Sequence, residues 1–237
     1  MKDGSIGMSV TMAGVPEASR LTLRLPGTWV QLDPNRPEVS TERIHSFVEL
    51  AIGRADELAQ ARHDMRHALG TMMDGAPDAA ALESTFLCHE IAPGSPTPIA
   101  VSVFAPADVH MSPAIGTGPR AVIETFLAAM KALGDAADWT RIDCADGEAA
   151  RRWRITETVA AEGAEDLPLR SFVADYWRTV PGSKRLVLVT VTSPLADIPQ
   201  TLIRLADAIV AGSRFAPLKE VPPRGGGPAA RAAAFRR

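Results

Sequence analysis

The sequence predicts an α+β fold, an antiparallel β-sheet with helices packed on it. Three long strand segments, 148–159, 170–180 and 184–192, follow one another with no helix between them. The last two are joined by Pro181-Gly182, a tight-turn pair, and short connections of this kind favour antiparallel neighbours. Elsewhere, helical segments are separated by groups of strands, which argues against a doubly wound parallel sheet. The run Leu186-Val187-Leu188-Val189-Thr190-Val191 is apolar on both sides of the pleat, so both faces of that strand are expected to be covered.

Each element has its own signal. Leu21, Leu23 and Leu25 alternate with Thr22 and Arg24 and predict a short strand before Pro26-Gly27. A long helix is expected from Ser40 or Thr41, whose side chains suit a helix start. Ile44, Phe47, Val48, Ala51, Ala55, Leu58, Ala59, Met65 and Leu69 recur at threes and fours and predict one stripe, with Gly70 as the stop. Segments 84–91 and 98–105 are expected to pair as strands across the turn-forming Ala92-Pro93-Gly94-Ser95-Pro96. A second helix is predicted from Pro119 to Leu133, ending at Gly134, with Val122, Ile123, Phe126, Leu127, Met130 and Leu133 inward. Trp139 to Cys144 reads as a strand, and residues 160–168 as an acidic loop. A third helix carries Ile198, Leu202, Leu205, Ala206, Ile209 and Val210 on one face, and Arg214-Phe215 adds a last strand. The domain expectation is a flexible N-terminus over 1–20, one α+β domain over 21–216, and a Pro/Gly/Ala/Arg tail over 217–237 too poor in apolar residues to order itself.

Composition bounds the function class. The chain has 237 residues, enough to bury a sizeable core without metal or disulfide staples. Its net charge is −3, so no global charge steers it to nucleic acid or an anionic membrane. No run approaches eighteen apolar residues and the N-terminus carries no readable secretory signal, so a cytoplasmic protein without membrane insertion is expected. Cys88 and Cys144 read as small core residues, and their spacing leaves open whether they ever pair.

No motif with strong chemistry is present. His63 and His67 stand four apart on a helix, but the residue between them is Asp64 and not the Glu of a zincin. They lie away from the apolar stripe and no third ligand follows, so a solvated helix face is the expectation and no metal is assigned. Cys88 and His89 are adjacent in a strand and point to opposite faces, so they cannot act as a nucleophile–base pair. His45 and His110 have no partner that the sequence identifies. Neither a nucleophile elbow nor a phosphate loop occurs. The acids Asp143, Asp146, Glu148, Glu162, Glu165 and Asp166 read as solvated turn and loop residues. No catalytic residue and no cofactor is assigned. The candidate binding residues are Trp153 and Arg154 on one strand and Tyr176 and Trp177 on its expected neighbour, because aromatic and arginine side chains are enriched at interfaces. Alternation places Arg151 with Trp153 and Arg152 with Arg154 on opposite faces.

The order of elements resembles the PsbP-like superfamily, which includes the Ran-release factor and the Eag-type secretion chaperones. The resemblance is carried by Pro26-Gly27-Thr28-Trp29 and by the closing strand–helix unit, Leu186 to Val191 and Leu202 to Phe215. The long first helix looks more like proteins of GC-rich bacteria, some at type VII secretion loci. The resemblance implies an α/β/α sandwich and binding or adaptor work without catalysis. On that basis the chain is expected to bind another protein, in the form of a secretion-associated chaperone shielding a partner segment. The alternatives are a subunit of a larger assembly, or an enzyme or small-ligand protein whose site is assembled from distant residues.

Overall fold

A computed structural model describes residues 19–74, 82–106, 109, 111, 114–135, 137–158 and 169–217. Residues Leu21–Phe215 form one compact unit. The acidic loop 160–168, His110 and nearly all of both end segments lie outside the described residues.

The strands are β1 (Ser19–Thr22), β2 (Thr28–Leu32), β3 (Leu82–Ala92), β4 (Ser95–Pro96), β5 (Ala100–Phe104), β6 (Thr140–Cys144), β7 (Gly147–Thr158), β8 (Leu169–Thr179), β9 (Leu186–Ser193) and β10 (Arg214–Pro217). The helices are α1 (Pro37–Ile52), α2 (Ala59–Asp74), α3 (Pro119–Ala132) and α4 (Pro199–Ala211). The main sheet runs β2-β3-β5-β9-β8-β7-β6, with β4 paired to β3 off that path, while β1 and β10 form a two-stranded sheet. Every pairing in the main sheet is antiparallel. The α+β class is as the sequence indicates, and β7, β8 and β9 form the expected meander.

Helices cover both faces of the sheet. On one face, Val101, Val103, Phe172, Ala174, Tyr176, Val189 and Val191 pack against Leu202, Ile203, Ala206 and Val210 of α4. Phe172 alone, with no exposed surface, contributes about 2–3 kcal/mol of apolar burial. On the other face there are two separate clusters. Leu32 and Leu87 pack against Ile44, Phe47, Val48 and Met73 of α1 and α2. Ala150 and Leu186 pack against Val122, Ile123 and Phe126 of α3.

Several local expectations change. The single helix over 40–69 is a pair, α1 and α2. The chain leaves the helix at Gly53, whose φ of 90° lies in the left-handed region, and re-enters through the short 3₁₀ turn Asp56–Leu58. Ala51, Ala55, Leu58 and Ala59, the middle of the supposed stripe, are exposed. Folding back lets both halves bury apolar residues on one sheet region. The first helix starts at Pro37 and not at Ser40; the Ser40 hydroxyl is buried and donates to the Asp33 carbonyl while accepting from the Asp33 amide, both at 2.9 Å. Gly70 does not stop the second helix, which continues to Asp74. Leu133 is 79% exposed and Ile198 47% exposed, so neither belongs to the core face expected of it; both cap a helix end. The strand expected over 21–25 ends at Thr22, although Leu23 and Leu25 still pack on the core.

Two features fix the edges of the unit. Gly27 has a φ of 81°, and a Cβ there would fall 2.1 Å from the Glu90 carbonyl oxygen, so only glycine fits between Pro26 and β3. Trp29 locks the same turn by donating its ring N–H to the Pro26 carbonyl at 2.5 Å. At the opposite side Arg178, fully buried on β8, donates to the Asp146 carboxylate in the β6–β7 turn and, at 2.9 Å, to the Ser213 carbonyl beyond α4. Its guanidinium lies 4.8 Å from the centre of the Phe215 ring. Asp146 also accepts the Phe215 amide at 2.7 Å.

Breaking a buried ion pair from one side leaves an uncompensated charge. Asp146→Asn keeps the shape but removes the counter-ion of Arg178, and is expected to lower the unfolding free energy by about 3 kcal/mol. Urea denaturation followed by circular dichroism measures this, and a loss below about 1 kcal/mol would show that the pair does not hold the fold.

Candidate functional site

The main sheet is unevenly covered. Val187, Val189 and Val191 of β9 are closed off under α4, as the sequence implies for one side. On the other side Leu186 is buried under α3, but Leu188, Thr190 and Thr192 are only half-buried. Full cover of both faces of this strand is therefore not observed. The α1–α2 pair sits over β2 and β3, α3 sits over the ends of β7, β8 and β9, and the sheet between them is partly open.

A polar row crosses this open strip. Thr85, Ser102, Thr190, Asp175 and Arg152 are successive register partners on β3, β5, β9, β8 and β7. The Thr85 and Ser102 hydroxyls are 3.0 Å apart. Thr190 donates its hydroxyl to Asp175 Oδ1 at 3.0 Å. Arg154 Nη1 and Arg152 Nε donate to Oδ2 of the same carboxylate at 2.6 and 3.3 Å. A buried carboxylate must be paired and hydrogen-bonded, and Asp175, 6% exposed, is satisfied on both oxygens. Arg152 is also held by Asp135 at 3.1 Å and lies 5.2 Å from the centre of the Trp139 ring. Arg154 makes no hydrogen bond among the described residues beyond the one to Asp175, and its side chain is 47% exposed.

The adjacent row is apolar at one end. Leu87, Ala100, Thr192, Val173 and Arg154 are successive partners across the same strands. Leu87, Ala100, Ser171 and Thr192 line a cavity of about 240 Å³ against Phe47, Met65 and Leu69 of the α1–α2 pair. The Ser171 and Thr192 hydroxyls make no hydrogen bond among the described residues. An apolar recess, bounded at Thr192, therefore opens one intervening strand away from a cation with spare donors.

The four residues proposed from sequence do not converge. Trp153 lies on the α4 face, is 38% exposed, and stacks on Phe172 at 6.2 Å. Tyr176 is on that face too, but it is fully buried and donates to Asp207 of α4 at 2.7 Å. Asp207 also takes Arg151 at 2.5 Å. Tyr176 thus fastens α4 to the sheet and has no free surface to offer. Trp177 is on the open side but packs against Phe126 of α3 at 5.4 Å. Arg154 alone belongs to the open strip. No linear motif marks Thr85, Ser102, Thr190 or the cavity lining as a site. Asp175 did carry a signal, a lone acid inside the apolar run Phe172-Val173-Ala174-Asp175-Tyr176-Trp177.

Other chemical candidates are placed as follows. The His63 and His67 rings are exposed and stack parallel, 6.5 Å apart. Among the described residues no group of three or more His, Cys, Asp or Glu is arranged to hold a metal ion. Both cysteines are free. Burial, with Glu90 adding to it, pushes the Cys88 thiol up to about 11, so it is a protonated core group at neutral pH. Burial likewise raises Cys144, against the opposing pull of Arg178. Among the described residues no helix is long and apolar enough to cross a membrane.

No protein-family model matches the chain, so the PsbP-like resemblance rests on its pattern of elements. Nor does any curated protein match it. Among solved structures it is similar to LpqN, described as involved in cell envelope biogenesis of Mycobacterium tuberculosis. That match has a TM-score of 0.40 and 12% identity, covering 86% of this chain and 88% of the other. Nothing about this chain's activity follows from a likeness at that level.

Tyr176 offers a direct test of the closed face, because it is the chain's one tyrosine. Burial, reinforced by the hydrogen bond to Asp207, pushes its phenol far above the ordinary range. The folded protein then holds its proton above pH 10, where the unfolded chain releases it, so stability falls as pH rises past about 10. Absorbance at the tyrosinate band should stay flat until the protein unfolds in alkali. A smooth rise near pH 10 in folded protein would place the ring in solvent.

Proposed function

We propose that this protein is a non-enzymatic binding protein, an adaptor that shields an apolar stretch of a partner protein on the open strip of its sheet. The observation that carries this reading is the cavity between the α1–α2 pair and Leu87 and Ala100, opening onto a sheet face that α3 leaves partly bare. The polar groups beside it favour binding over catalysis. Asp175 is engaged by two arginines and a threonine, which suits a fixed floor better than a group that must exchange protons. A PsbP-like element pattern supports the same reading, and a cytoplasmic, secretion-associated chaperone is its more specific form. A small-ligand protein is the second reading, favoured by the free Ser171 and Thr192 hydroxyls in the cavity.

Site-specific photo-cross-linking in the native host tests this. A benzophenone side chain at Thr192 should yield a discrete protein adduct, and one at Arg204, exposed on α4, should not. Ala100→Trp, which fills the cavity, should remove the Thr192 adduct while leaving the circular dichroism spectrum unchanged. Equal adducts from both positions, or none from Thr192, would reject the adaptor reading.

A further inference from the structure

We propose that the open strip selects an extended partner segment with a large apolar side chain followed, about two residues on, by a carboxylate. The inference rests on the adaptor reading above and adds the chemistry of the partner.

The cavity fixes the first half. At about 240 Å³ it lies below the roughly 300–1,000 Å³ of pockets that enclose a small-molecule ligand. A single leucine, phenylalanine or tryptophan side chain is a better match to that volume than a whole ligand. Its walls are Phe47, Met65, Leu69, Leu87 and Ala100, and methionine adapts readily to different apolar shapes.

Charge fixes the second half. Asp175 Oδ2 is shared by two guanidinium groups, and its Oδ1 is taken by Thr190. One buried carboxylate therefore faces two cations. Arg152 finds a second partner in Asp135, on the α3 side. Arg154 finds none among the described residues, and its exposed guanidinium keeps Nε and Nη2 free to donate. A carboxylate is the group that a planar guanidinium with spare N–H donors binds best.

The spacing follows from the sheet. Thr192, at the cavity, and Arg154 are separated by one strand, since both pair with Val173. Two inter-strand steps put them about 10 Å apart. An extended segment advances about 3.3 Å per residue, and its alternate side chains face the same way. A glutamate two residues from the anchor therefore faces the sheet about 7 Å along, and its own length with that of Arg154 closes the gap.

The test uses the full-length protein and synthetic serine/glycine peptides bearing Trp or Ala at one position and Glu, Gln or Lys two residues later. Wild-type protein should bind the Trp–Glu peptide about tenfold more tightly than Trp–Lys, and the Ala peptides should bind weakly. Arg154→Gln should abolish the Glu preference while keeping the Trp preference, and Arg154→Glu should turn it toward Lys. Circular dichroism confirms that each variant is folded. Equal affinity for Glu and Lys peptides, no binding to any Trp peptide, or binding of decanoate in place of peptides would overturn the proposal. An anchor preference without a charge preference would overturn it while the adaptor reading stands. Cross-linking at Thr192 that Ala100→Trp leaves unchanged would fell the adaptor reading itself, and this proposal with it.

Discussion

The arrangement depends on a buried cation. Arg178 sits near the end of β8 with no exposed surface, and a guanidinium in that position is costly unless its neighbours are arranged around it. They are drawn from two separate parts of the chain: Asp146 from the β6–β7 turn, and Ser213 and Phe215 from beyond α4. Asp146 in turn fixes the Phe215 amide. The cluster therefore specifies where α4 ends. A second polar link, Arg151 and Tyr176 on Asp207, fastens α4 along its length. With α4 tied down by both, much of that face of the sheet is covered, and the partly open strip lies on the other face.

That other face is covered by two helical elements that do not meet over its centre. α1 and α2 are anchored at β2 and β3, and α3 at the opposite end of the sheet. The strands between them have resolved the conflict in a particular way. Their inward residues under α4 are Val101, Val189, Val191 and Ala174, and their outward partners are Ser102, Thr190, Thr192 and Asp175. Polarity follows cover at these positions, while Ala100, Val173 and Leu188 keep the same face partly apolar. Asp175 is the exception that needs its own support, and the two arginines and Thr190 supply it.

Much of the fold was legible in the sequence because its signals are local. The two-residue alternation in β7 and β8 and the Pro181-Gly182 turn read directly as a meander, and the α3 and α4 stripes lie close to where they were expected. The break at Gly53 was hidden because Ala51, Ala55 and Ala59 continue the spacing of a helix, and alanine is nearly as acceptable on the surface as inside. The open strip was less legible. Thr85, Ser102, Arg152, Asp175 and Thr190 become a row only through the register of five strands, which no linear spacing encodes. Aromatic residues were the more visible signal, yet the alternation that makes β8 a strand sends Tyr176 and Trp177 to opposite faces, and both are engaged by helices.

The strand order has a kinetic side. β5 lies next to β9, so Ser102 must find Thr190, about 90 residues further along the chain. Neighbours such as β7 and β8 close far shorter loops and can form early, whereas the β5–β9 seam waits for a long loop to close. That seam is the midline of the open strip. Both rows of the strip cross it, so neither exists in a chain that has folded only its C-terminal meander. The proposed binding surface would thus be among the last features to appear as the protein folds.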